Sequence, residues 1–188
     1  MGSNTGYGFV IGRETWNNAV GKWENYISLD NAVKFLSNHK KNLKKDELEV
    51  LNILSDVLNG NITLELPIEK YPVEDIFEEI CFNEFSEKNP LNQVDCDVLG
   101  DNCCIETIIA NVIHRETDLP VGYFKDANLD GAYIMYSPSY PWEASDNERK
   151  IKEKEDINKI FDKYKDELIK EDYKSYADNG YQTVEYWD

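Results

Sequence analysis

Residues 121–136, Val-Gly-Tyr-Phe-Lys-Asp-Ala-Asn-Leu-Asp-Gly-Ala-Tyr-Ile-Met-Tyr, set two apolar and aromatic runs on either side of Asp126, Asn128, Asp130 and Gly131. Strand side chains alternate faces with a period of two, and Asp, Asn and Gly are the residues a tight turn selects. The pattern therefore predicts an antiparallel β-hairpin near 119–136. A hairpin needs a further strand or a helix to cover its apolar face, which excludes an all-helical chain. The surrounding segments carry helical spacing, so the expected fold class is mixed α/β (α+β), with helices packed on a small antiparallel sheet.

Gly6-Tyr-Gly-Phe-Val-Ile-Gly12 reads as a short strand. Trp16, Val20 and Trp23 fall at helical spacing and predict a helix from Arg13 to about Tyr26. Ser28 is placed to cap a helix carrying Ala32, Val33, Phe35 and Leu36. Beyond the basic connection from His39 to Lys45, a third helix presents Leu48, Leu51, Leu54 and Leu58, flanked by Val50, Ile53 and Val57, and stops at Asn59-Gly60. Ile62, Leu64 and Leu66 alternate as in a strand, and Pro72 opens a helix through Ile76, Phe77, Ile80 and Cys81. Asp101 or Asn102 is expected to cap a helix with Cys104, Ile105, Ile108, Ile109, Val112 and Ile113 on one stripe. A long charged helix is expected at about 145–170, with Ile157, Ile160, Phe161, Tyr164 and Leu168 on its apolar face, and 181–187 alternates like a strand. There is no internal repeat, so 1–188 is expected to form a single domain.

A chain that is 41% hydrophobic and 12% aromatic can build a core even at a net charge of −17. It contains no run of about 18 apolar residues, so no membrane span is expected. The first residues carry no basic region followed by an apolar stretch, so secretion is not indicated and a cytoplasmic location is expected. Cys81, Cys96, Cys103 and Cys104 then read as reduced thiols.

The excess charge is concentrated. Residues 72–118 hold twelve acidic residues against Lys88 and Arg115, whereas 147–174 hold nine acidic and nine basic residues. Glu74, Asp75, Glu78 and Glu79 share one face of the helix predicted after Pro72, and Glu84, Glu87, Asp95, Asp97 and Asp101 extend the acidic segment. A field of one sign steers partners of the other, so a basic protein is the partner such a segment fits. The same carboxylates would also serve solubility alone. The balanced charge of the last helix is the ordinary dress of a solvent-facing helix.

The sequence carries no trusted catalytic or metal constellation, and the expectation is a non-enzyme without cofactor. Asp126, Asn128, Asp130 and Gly131 match the first half of an EF-hand loop, but position 12, which should be Glu, is Ser137. Adjacent Cys103 and Cys104 do not fit zinc-ligand spacing. Cys103 and His114, if on one helix, stand roughly 16 Å apart at 1.5 Å per residue, too far to share an ion or a proton. The only other histidine, His39, lies in the basic connection. No P-loop lysine or complete dinucleotide fingerprint occurs.

Tyr133, Tyr136, Tyr140 and Trp142, with Pro138 and Pro141, form a dense aromatic and proline segment, suited either to core packing with a stiff connector or to contact with a partner. Together with the charged helix that follows, this segment (Tyr-Ile-Met-Tyr-Ser-Pro-Ser-Tyr-Pro-Trp-Glu-Ala-Ser-Asp-Asn-Glu-Arg-Lys-Ile) resembles short uncharacterised proteins of phages and conjugative elements of Gram-positive bacteria, over roughly residues 131–165. The resemblance implies a mobile-element setting, in which small acidic proteins include anti-CRISPR and anti-restriction inhibitors, and it supplies no catalytic residues. The expected function is accordingly an acidic inhibitory binding protein acting on a basic nuclease of a host defence system. Glu74, Asp75, Glu78, Glu79, Glu84, Glu87, Asp95, Asp97, Tyr140 and Trp142 are its candidate contact residues. Two alternatives use the same chain differently: an immunity protein that neutralises a toxin nuclease, and a nucleic-acid-binding accessory protein using Lys40, Lys41, Lys44 and Lys45.

Overall fold

The computed structural model describes residues 3–17, 20–61, 105–126, 131–174 and 180–187. The described residues form a five-stranded antiparallel sheet and four α-helices, the mixed α+β class that the sequence predicts. The strands are β1 (Ser3–Asn17), β2 (Val20–Asn25), β3 (Val121–Asp126), β4 (Gly131–Tyr136) and β5 (Tyr181–Trp187). The helices are α1 (Leu29–Asn38), α2 (Lys45–Leu58), α3 (Ile105–Thr117) and α4 (Lys154–Leu168).

β1 organises the sheet. One edge of its first half pairs with β5, from Ser3 opposite Trp187 to Phe9 opposite Tyr181. Its other edge pairs with β4 from Tyr7 to Arg13, and its last residues pair with β2 from Gly12 to Asn17. The β4 register slips at Ile11, a bulge whose carbonyl accepts the Tyr26 amide at 2.9 Å. Such a bulge bends a strand, which lets one long strand serve three partners. The close β1–β4 approach demands glycine at position 8, where a Cβ would overlap the Ile134 carbonyl.

The hairpin is β3–β4, with Asp126 opposite Gly131 as its last pair. Every residue of β4 is buried, as an inner strand with two neighbours requires. Arg13 to Tyr26 is not helical. The expected helix is replaced by the β1–β2 ladder, in which Glu14 faces Trp23 and Trp16 faces Gly21. Thr15, Trp16, Val20 and Trp23 suit a pleated surface as well as a helix, and pairing along β1 decides between them.

The Ser28 cap forms, its hydroxyl accepting the Asn31 amide at 3.0 Å. α2 ends at Asn59 with Gly60 in the left-handed region (φ 75°), but its buried stripe is Glu47, Val50, Leu51, Leu54 and Val57, and Leu58 is exposed. The charged helix begins later than expected. Ser145 and Glu148 cap each other's amides (3.1 and 3.2 Å) and open a turn, but that turn closes as a 3-10 segment, Glu148–Lys150. Ile151 is then extended, and α4 starts at Lys154, where Asp156 accepts the amides of Lys152 and Glu153. The strand proposed at 62–66, the helix after Pro72, the cap at Asp101 or Asn102 and all four cysteines lie outside the described residues.

The buried apolar side chains of sheet and helices form one cluster. α3 packs on β3, α4 packs on β1, and α1 touches α2, α3 and α4. Phe9 meets Phe161 edge to face at 5.8 Å between centroids, and Tyr7 stacks on Tyr181 at the same distance.

Candidate interaction surface

The aromatic segment divides in two. Tyr133 and Tyr136, on β4, are buried, whereas Tyr140 and Trp142, on the connection that leaves β4, are 63% and 74% exposed. The two exposed rings stack on each other, 4.9 Å between centroids and 2° from parallel. Their backbone is a tight turn in which the Tyr140 carbonyl accepts the amides of Glu143 (2.8 Å) and Ala144 (3.1 Å). Pro141 occupies the second position of that turn, where its fixed φ suits it.

The connection is pinned at both ends by Glu148. This buried carboxylate accepts the Ser139 amide at 3.0 Å, the Ser145 amide at 3.1 Å and the Tyr136 hydroxyl at 3.2 Å. Burial works to raise the pKa of Glu148, but the Ser139 and Ser145 amides and the Tyr136 hydroxyl outweigh it and hold the carboxyl below its usual range. Burial, then the Glu148 charge, push the Tyr136 hydroxyl up to about 12. The connection is tied to the end of α3 as well, since Ser145 Oγ donates to the Asp118 carbonyl (2.8 Å) and Asn147 Nδ2 to the Thr117 carbonyl (3.1 Å). The aromatic pair thus stands on an ordered base. Next to these ties a groove of about 370 Å³ runs between Leu119, Ile151 and Ile160, with Lys150 and Lys159 at its rim.

Glu74, Asp75, Glu78, Glu79, Glu84, Glu87, Asp95 and Asp97 lie outside the described residues. Of the acidic residues of 72–118 that are described, two serve the fold. Glu106 is buried, and Glu116 is bound by three side chains, His39, Asn42 and Tyr164. Lys40, Lys41, Lys44 and Lys45 are all exposed around a 3-10 turn at Lys40–Asn42.

His39 is the polar centre that local sequence reading misses. Its Nδ1 lies 2.6 Å from Glu116 Oε1 and its Nε2 2.9 Å from Glu167 Oε2. Glu116 also accepts from the Tyr164 hydroxyl at 2.9 Å and from Asn42 Nδ2, and Glu167 accepts from Asn38 Nδ2 at 2.7 Å. The Phe35 ring packs on the imidazole at 4.3 Å. The partners stand 77 and 128 residues away along the chain, so no local spacing announces the cluster. With both ring nitrogens held by carboxylates, the imidazole is arranged to tie elements together. His114, the other histidine, faces the Leu119 carbonyl through Nδ1 at 2.6 Å.

Among the described residues no group of three or more His, Cys, Asp or Glu side chains is arranged to hold a metal ion, and no helix is long and apolar enough to cross a membrane. Comparison of the chain with protein-family models, curated proteins and solved structures gives no match.

Proposed function

We propose that the chain is an acidic binding protein, not an enzyme, that acts in the cytoplasm by blocking a basic surface of a partner such as a defence nuclease. The observation that carries the reading is the exposed Tyr140–Trp142 stack on a loop pinned by Glu148. Exposed aromatics on an ordered base lose little side-chain freedom on binding, and Tyr and Trp are the side chains that interfaces use as anchors. The acidic segment 72–101 supplies long-range attraction, and the stack supplies contact. Anti-CRISPR or anti-restriction inhibition and toxin neutralisation are two settings for this same physics.

Three variants test it in affinity capture from a host lysate. The first reverses Glu74, Asp75, Glu78 and Glu79 to Lys. The second reverses Glu155, Asp166, Glu171 and Asp172, which are exposed on or just beyond α4. The third is Tyr140→Ala with Trp142→Ala. Loss of a basic partner in the first and third, but not the second, supports the proposal. Equal loss in the first and second would reduce it to bulk charge.

A nucleic-acid-binding role is the second reading, favoured by the four exposed lysines around the Lys40–Asn42 turn. A mobility-shift assay at low salt separates the two, since phosphate contacts weaken steeply as salt rises.

A further inference from the structure

The geometry around His39 fixes a proton count. A neutral imidazole has one N–H and one lone pair, yet both His39 nitrogens face carboxylate oxygens at hydrogen-bonding distance. With neutral histidine and two carboxylates, one of those contacts would set lone pair against lone pair. The arrangement closes only with one more proton. The remaining donors place that proton on the ring, because Glu116 already accepts from Tyr164 and Asn42, and Glu167 from Asn38, which suits ionised carboxylates.

We propose that His39 is a proton-operated clasp, which as an imidazolium fastens the end of α1 to α3 and α4, and which on losing its proton releases the last turn of α4. The connectivity makes this specific. Glu116 sits in the last turn of α3, Glu167 and Tyr164 in the last turns of α4, and Asn38 and Asn42 on either side of His39 itself. The charge the ring meets comes from α3 and α4, and α1 adds neutral groups. α1 offers Phe35 and Asn38, α3 offers Glu116, and α4 offers Tyr164 and Glu167, with Lys163 Nζ 4.5 Å above the Tyr164 ring. The neighbouring cation, Arg115, is committed to Glu47. Without the proton the cluster keeps two carboxylates and, among the described residues, no cation in direct contact with them.

The titration directions agree with the geometry. Burial opposes the charge on His39, but the hydrogen bonds to Glu167 and Glu116 outweigh it, so the imidazole titrates above its ordinary 6.5. A raised histidine contributes stability that is complete below its unfolded value and lost as pH rises through the folded one. Burial would raise Glu116, yet the bonds from His39 and Tyr164 lower it, so its contribution is present above the ordinary carboxylate value and lost on strong acidification. The clasp is therefore closed between the ordinary carboxylate range and pH 6.5, and it opens as pH rises through the raised value of His39.

The experiment is an imidazole ¹⁵N titration of the full chain by NMR, with amide hydrogen exchange of 164–169 corrected for the base-catalysed intrinsic rate. His39→Gln assigns the His39 signals and serves as the reference. The clasp predicts that His39 keeps both ring nitrogens protonated past pH 6.5, and that protection in the last turn of α4 is lost as that proton leaves. In His39→Gln, protection across the same pH range should be flat. A His39 ring that titrates at or below 6.5, or α4 protection that ignores its titration, overturns the proposal. If His39→Gln does not fold, Glu167→Gln gives the assignment by perturbing one ring nitrogen, and the wild-type titration still decides.

Discussion

Arg115 grips both oxygens of Glu47, Nη2 to Oε1 at 2.6 Å and Nη1 to Oε2 at 2.7 Å, and the same Nη1 donates to the Asn42 carbonyl at 2.7 Å. The Glu47 side chain is 4% exposed and also accepts the Lys44 amide that opens α2. Arg115→Met strands a buried carboxylate, and the expected loss is about 3 kcal/mol by urea denaturation. Replacing both partners, Glu47→Leu with Arg115→Met, should recover most of it, because the penalty lies in the unpaired charge. A double variant as unstable as the single would show that the pair itself is what stabilises.

Gly8 and Gly122 make opposite predictions for the same substitution. A Cβ at Gly8 meets the Ile134 carbonyl and Met135 backbone in the middle of the sheet, whereas nothing lies within 4 Å of one at Gly122. Gly8→Ala should cost more than about 3 kcal/mol or prevent folding, as overpacking against rigid backbone does. Gly122→Ala should stay within about 0.5 kcal/mol. Thermal melts of the two side by side check it.

What the sequence tells and withholds follows the range of each interaction. The β3–β4 hairpin, the Ser28 cap and the Asn59-Gly60 stop are encoded within a few residues, and the structure has them. The spacing of Trp16, Val20 and Trp23 predicts a helix over Arg13–Tyr26, but the segment continues β1, a strand that also pairs with β4 and β5 over a hundred residues away, and it folds back as the β1–β2 ladder. The start of α4 was misplaced because Ser145 and Glu148 do form a helix-opening pair, but the Glu148 carboxylate turns inward to Tyr136 and Ser139. Tyr140 and Trp142 were legible as aromatics and not as an exposed pair, since nothing in the alternation distinguishes them from Tyr133 and Tyr136. The His39 cluster had no local signature.

Glu148→Gln should loosen the aromatic loop. The amide keeps the volume but offers one acceptor oxygen to three donors, so a cost of about 1–3 kcal/mol is expected at neutral pH. Because the native carboxyl titrates below its ordinary value, its contribution is present above the unfolded value and lost as pH falls through the folded one. Melting curves of wild type and variant should therefore converge on acidification. A gap that persists in acid would mean that packing, not ionisation, is what the variant disturbs.

Tyr140→Ala with Trp142→Ala should be nearly silent for folding. The rings touch each other and solvent, and a stacked pair in that setting contributes less than about 1 kcal/mol. A melting temperature close to wild type makes any binding defect of the double variant attributable to the surface. A large drop would assign the stack to the fold instead.

The way β1 is shared sets the timetable of folding on the ribosome. Residues 3–17 leave before every strand they pair with, and two of those three strands lie at 131–136 and 181–187. At roughly 5–20 residues per second, the interval between first strand and last is on the order of ten seconds or more. Until β4 emerges, Phe9, Val10 and Ile11, all buried in the finished sheet, lack their strand partners, because β2 pairs only with Gly12–Asn17. The nascent chain thus presents an unpaired apolar segment up to that point, and holding chaperones that bind extended apolar segments should engage it there.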